Sequence, residues 1–92
     1  MKHFVWNKEK NKKLIEGRGV GFADIVKAIE RGNVLDIINH KNRKKYPNQK
    51  VFIVNINNYA YDVPFVEDEE KIYFKTIMPS RKSTKKYITK AP

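Results

Sequence analysis

The sequence predicts one α+β domain over residues 1–92, with helices packed on an antiparallel sheet in the order β-α-α-β-β-β-β-α. Three observations predict it. Apolar residues recur at helical spacing up to residue 32 and at every second position from residue 34. An apolar share of 40% in 92 residues supplies one small core and no second one. Neither an internal repeat nor a Gly/Pro/Ser-rich linker divides the chain.

The elements follow in order. Phe4-Val5-Trp6 is a short apolar run, read as a first strand. Asn7 has the chemistry of an N-cap for a helix over 8–16, with Gly17 as its stop. Leu14 and Ile15 are the large apolar residues of that helix, so it lies on the surface. Residues 18–21 read as a tight connection. Phe22, Ile25, Val26 and Ile29 fall at i, i+3, i+4 and i+7, the stripe of a core-facing helix that ends at Gly32. Trp6 and Phe22 are assigned to the core.

Residues 34–38 form the next strand, and 39–48 a polar, basic loop carrying Pro47. The stretch 51–56 is apolar at nearly every position, which predicts a central strand. Asn57-Asn58 is a hairpin signal, because asparagine tolerates the positive φ of tight turns. Tyr59, Tyr61, Val63 and Phe65 alternate along a further strand, in which Pro64 predicts an exposed edge or a bulge. After the acidic turn 67–70, Ile72, Phe74, Thr76 and Met78 alternate again. Pro79 ends the sheet, and Ser80 is placed to cap a last helix reaching about Tyr87.

Composition excludes several chemistries. The chain has no cysteine, hence no disulfide framework, Cys-based zinc site or thiol nucleophile. Its two histidines, His3 and His40, lack the spacing of a zinc hydrolase, and no metal or cofactor is expected. Residues 17–21 are not a phosphate loop, because the preceding strand and the lysine are missing. Four consecutive acids at 67–70 are read as a solvated turn. No apolar run approaches the roughly 20 residues of a membrane span, and residues 1–3 do not open a signal segment, so a soluble, cytoplasmic protein without a membrane partner is expected.

Charge carries the functional signal. Twenty Lys and Arg oppose ten Asp and Glu, a net +10 that favours polyanions. The excess sits in three blocks, +4 over 1–20 and +5 over each of 41–50 and 80–92, while 21–40 and 51–79 are slightly acidic. In the last block Arg81 and Lys82 open a helix, where cations oppose the macrodipole. An anion resting on that helix start resolves the conflict, held by backbone N–H groups, the Ser80 hydroxyl and both cations. A basic tail that merely confers solubility is the alternative. In the middle block, Lys41, Arg43, Lys44 and Lys45 with flanking His40 and Tyr46 have the composition to grip a phosphodiester backbone while a ring stacks on a base. A plain lysine-rich loop is the alternative there. His40 is the natural proton carrier near neutral pH, although a lone histidine at a strand end is also a common structural residue. Lys8, Lys10, Lys12 and Lys13 occupy the first helix and are read chiefly as a solvated face.

Trp6-Asn7, the charged helix ending in Arg18-Gly19-Val20, and Phe22-Ala23-Asp24 resemble the opening of the BrnT-like toxins of bacterial type II toxin–antitoxin pairs. The closing stretch 75–87 resembles that family too, most specifically in Ser80-Arg81-x-x-Thr84 with Tyr87. The resemblance implies a RelE-like fold and a metal-independent endoribonuclease that inhibits translation. It also implies neutralisation by a cognate antitoxin, a small DNA-binding protein, with the pair binding operator DNA. It puts Ser80, Arg81, Thr84 and Tyr87 at the family's C-terminal positions. The middle stretch 36–64 is longer and less typical than in the best-known members.

On this reading the ribose 2′-OH attacks the adjacent phosphorus, leaving a 2′,3′-cyclic phosphate. Arg81 and Lys82 are the candidates for the phosphate charge, with Lys85 a lesser one, Tyr87 for stacking or proton transfer, and His40 for general acid/base work. Ser80, Thr84, Lys85, Arg43, Lys44, Lys45 and Tyr46 are candidates for holding RNA. The rival is a non-catalytic RNA- or DNA-binding module using the same basic face. A third reading gives that face to an acidic segment of the antitoxin.

Overall fold

Apolar side chains at two different periods organise the molecule, and the computed structural model describes residues 2–42 and 44–89. The elements are β1 (His3–Val5), α1 (Lys8–Arg18), α2 (Phe22–Glu30), β2 (Val34–Asn39), β3 (Gln49–Ile56), β4 (Tyr59–Glu67), β5 (Lys71–Phe74), β6 (Met78–Pro79) and α3 (Arg81–Thr84). A π-helical turn, Lys85–Thr89, continues α3.

The helices form where their ends are satisfied. Asn7 accepts from the Lys10 amide at 2.9 Å to start α1. Gly19, at φ 73°, closes it by donating to the Ile15 carbonyl. The stop is thus Gly19 rather than Gly17, because only Gly19 takes the left-handed conformation that ends a helix. Gly21 has no side chain to cap α2, and Asn11 of α1 substitutes by accepting from the Phe22 amide at 2.8 Å. Asp24 closes the same turn by accepting from Gly21 N at 2.9 Å. The two helices are therefore joined through their caps before any packing is counted.

The sheet runs β1-β5-β4-β3-β2, with β6 added to β4. The meander β2 to β5 is antiparallel, as its turns require. Asn57 and Asn58, at φ 54° and 63°, make the tight β3–β4 turn. The expectation of a wholly antiparallel, five-stranded sheet is corrected in two respects. β1 pairs parallel with β5, aligning Phe4 with Ile72, and β6 adds a sixth strand. A parallel neighbour needs a long connection, and the passage through α1, α2 and the meander provides it. The molecule is thus an α+β fold on a mixed sheet.

Pro64 is not at an exposed edge. It is buried in β4, between β3 and β5, opposite Val51. On the far side of β4 the β5 pairing begins at Phe65 and the β6 pairing ends at Asp62. Pro64 therefore lies in the gap between two short ladders, where a missing N–H leaves both intact.

Strand alternation sorts the apolar side chains onto two faces. Phe52, Val54, Val63 and Phe65 join Phe22, Ile25 and Phe74 in the main core, closed by α1 and α2. Its centre is an aromatic stack in which Phe74 lies 5.3 Å from Phe4 and 5.8 Å from Phe22, with Trp6 5.7 Å from Phe22. Phe22 and Phe74, the fully buried rings of this stack, each contribute on the order of 1.5–3 kcal/mol through burial. Val51, Ile53 and Ala60 face the other way and are covered by Leu35, Tyr87 and Ile88. The closing segment therefore crosses the sheet face opposite the two long helices.

Candidate nucleic-acid interface

The closing segment is held to the sheet by hydroxyl groups. Ser80 Oγ accepts from the Ser83 amide at 3.0 Å, the N-cap expected of it. Thr84 is buried and uses its hydroxyl twice, donating to Ser80 O at 2.8 Å and accepting from Ala60 N at 2.9 Å. Ser83 donates to Asp62 Oδ1 at 2.9 Å. Tyr87 donates to Asp36 Oδ2 at 2.7 Å, and this bond raises its pKa above the usual phenol value. The same bond, with a second from the Ile37 amide, holds Asp36 below the usual carboxylate range.

These contacts divide the expected site residues. Ser80, Thr84 and Tyr87 have their polar atoms engaged in docking the segment. Arg81, Lys82, Lys85 and Lys86 are exposed around them, and Lys86 Nζ stands 5.2 Å from the centroid of the Tyr87 ring. The helix expected to reach Tyr87 as one α-helix instead makes one α turn and then widens into the π turn. Ser83 was not singled out in the sequence. Its signal is the i+3 position after an N-cap serine, where a second hydroxyl can reach a neighbouring strand.

The loop after β2 forms a second group. His40 Nδ1 accepts from the Asn42 amide at 3.0 Å, so the neutral ring carries its proton on Nε2. Asn42 in turn accepts from the Lys45 amide at 3.1 Å, shaping the turn. The rings of His40 and Tyr46 lie 4.6 Å apart, and Lys45 Nζ stands 5.4 Å from the Tyr46 centroid. His40, Lys45 and Tyr46 are thus brought together, with Lys44 exposed beside them. Arg43 lies outside the described residues.

Ion pairs do not consume the cationic charge. Among the described residues the salt bridges are Lys2–Glu67 at 2.8 Å and Lys50–Glu67 at 3.6 Å. Every other described Lys and Arg has no acidic partner within 4.0 Å among the described residues. Concavities among the described residues include two away from α3. One, of about 830 Å³, lies between α1 and β5, and the other, of about 260 Å³, lies beside α2 and the β3–β4 turn. Neither is lined by Arg81 or Lys82, which are exposed at the start of α3.

Comparison with protein-family models, curated proteins and solved structures finds no match to this chain. Among the described residues no helix is long and apolar enough to cross a membrane, and no three His, Asp or Glu side chains are grouped to hold a metal ion.

Proposed function

We propose that this protein binds RNA through the unpaired cations of its basic blocks, 1–20, 41–50 and 80–92, and that it acts as the toxin of a type II toxin–antitoxin pair, a metal-independent endoribonuclease. One observation carries the binding half. A chain of net charge +10 commits two of its described lysines to ion pairs, both on Glu67, and leaves the rest facing solvent. Such a surface attracts a phosphodiester backbone by releasing its counterions. The nuclease half rests on the resemblance of the opening and closing motifs to BrnT-like toxins, and the α+β order is compatible with it.

In that reaction the 2′-OH attacks the neighbouring phosphorus, the bond from phosphorus to the 5′-oxygen breaks, and water relays the proton given up by the 2′-OH to the leaving 5′-oxygen. Arg81 and Lys82 neutralise charge on the phosphorane oxygens, a contribution commonly worth about 2.7–4 kcal/mol per donor. With its Nδ1 lone pair taken by the Asn42 amide, His40 presents Nε2–H as a hydrogen-bond donor to a phosphate oxygen rather than as a general base, and Tyr46 beside it offers a face for a nucleobase. Tyr87 positions rather than transfers, because its proton is committed to Asp36. A cognate antitoxin covering the same cations inhibits by occlusion, and the pair binds operator DNA.

A second reading, a non-catalytic RNA-binding module, is favoured by a specific observation. Ser80, Thr84 and Tyr87 are occupied in docking, and neither concavity described above is lined by Arg81. Incubation of purified protein with end-labelled RNA in EDTA separates the two. The toxin reading predicts fragments ending in 2′,3′-cyclic phosphate, lost in Arg81→Ala while circular dichroism is unchanged. Intact RNA that remains bound to the protein selects the second reading.

A further inference from the structure

The larger concavity lies where the sheet edge is left open. β1 stays in register with β5 only as far as Val5 opposite Tyr73, so Phe74 and Lys75 extend past it, and α1 flanks the opening. Four cations line this groove, Lys10, Lys13 and Arg18 from α1 and Lys75 from the end of β5, against one carboxylate, Glu9. None of the four has an acidic partner among the described residues. Tyr73 stands in the groove with 37% of its surface exposed, and Lys75 Nζ lies 5.5 Å from its ring centroid. Its volume of about 830 Å³ falls within the roughly 300–1,000 Å³ of small-ligand sites.

Gly17 is an independent observation. It sits inside α1, does not adopt positive φ, and a Cβ built on it meets nothing within 4 Å. Neither backbone conformation nor packing within the chain calls for glycine there, although glycine costs a helix about 0.5–1 kcal/mol relative to alanine. Gly17 lines the groove. A residue that is unfavourable for the helix and unneeded by the core makes sense where another molecule approaches the backbone closely.

We infer that the α1–β5 groove is a binding site for single-stranded RNA, in which Lys10, Lys13, Arg18 and Lys75 hold phosphates, Tyr73 stacks on a base, and Gly17 leaves room for the strand against the helix. Single-stranded nucleic acid fits this combination because it offers phosphates and an unstacked base face together. The inference rests on the reading that this chain binds RNA, and it places one contact surface away from α3 and the β2–β3 loop.

Fluorescence anisotropy with a 5′-fluorescein-labelled U8 RNA tests it, using the full chain. Gly17→Leu is expected to keep the circular dichroism spectrum and lower affinity at least tenfold. The pair Lys13→Gln with Lys75→Gln is expected to do the same. Lys27→Gln with Arg31→Gln, equal in charge removed but outside the groove, is expected to stay within twofold of wild type. Absence of any binding by wild type overturns RNA binding and the groove together. Wild-type binding that is unchanged in folded Gly17→Leu, or lowered equally by both charge pairs, overturns the groove alone. Should Gly17→Leu fail to fold, Tyr73→Ser takes its place, with the same tenfold loss expected and an unchanged affinity again overturning the groove.

Discussion

Tyr87 donates a 2.7 Å hydrogen bond to the Asp36 carboxylate, fastening the last described turn of the chain to the edge strand of the sheet across 51 positions of sequence. The bond requires a protonated phenol and an ionised carboxylate, and both groups are shifted to keep those states. Asp36 is held below its ordinary value, so its contribution to stability is present above the unfolded carboxylate pKa near 4 and is lost as pH falls through the lower folded value. Tyr87 is raised, so its contribution is complete below about pH 10 and is lost as pH rises through the higher folded value. Thermal unfolding of wild type and Tyr87→Phe across pH checks this. The variant melts lower at neutral pH, and the difference shrinks at both extremes.

Thr84 carries a larger share of the docking. Replacing it by valine keeps the shape and removes the hydroxyl, leaving the Ala60 amide, on a fully buried residue, without its partner. An unsatisfied buried donor costs about 1–3 kcal/mol. Urea unfolding of Thr84→Val is expected to shift to a lower midpoint with an unchanged slope, and Thr84→Ser, which keeps the hydroxyl, to recover most of the loss.

Phe74 sits at the junction of the aromatic stack, in contact with Phe4, Trp6, Phe22 and Phe52. Phe74→Ala removes the ring on which β1, α2 and β3 all rest and is expected to lose about 3–5 kcal/mol. The same assay measures it. A loss under 1 kcal/mol is incompatible with the stack as the centre of the core.

The elements that rest on local patterns were legible in the sequence. Of the stripe Phe22, Ile25, Val26 and Ile29 in α2, the first two are buried and the other two pack half-buried against the core, Asn57-Asn58 makes the hairpin turn, and Ser80 caps α3. What escaped depends on distant partners. Nothing local says that His3–Val5 will pair parallel with Lys71–Tyr73, because that choice is made by Phe4 stacking on Phe74. The interruption opposite Pro64 is likewise set by how Lys75–Ile77 leaves the sheet. The exposed cations around α3 were legible as charge, yet the hydroxyls beside them read equally well as ligands and as docking groups. Only the positions of Ala60, Asp62 and Asp36 separate those uses. The α1–β5 groove escaped because Lys75 and Tyr73 are far in sequence from the lysines they face.

The salt dependence of RNA binding tests the central claim most directly. If the unpaired cations of this +10 chain serve to hold phosphates, the logarithm of the association constant for U8 RNA falls linearly with the logarithm of salt concentration. Each phosphate held on a single strand adds about 0.7 to the slope, so four or more contacts predict a slope steeper than about −2.8. A slope near zero, or no measurable association at low salt, contradicts the account.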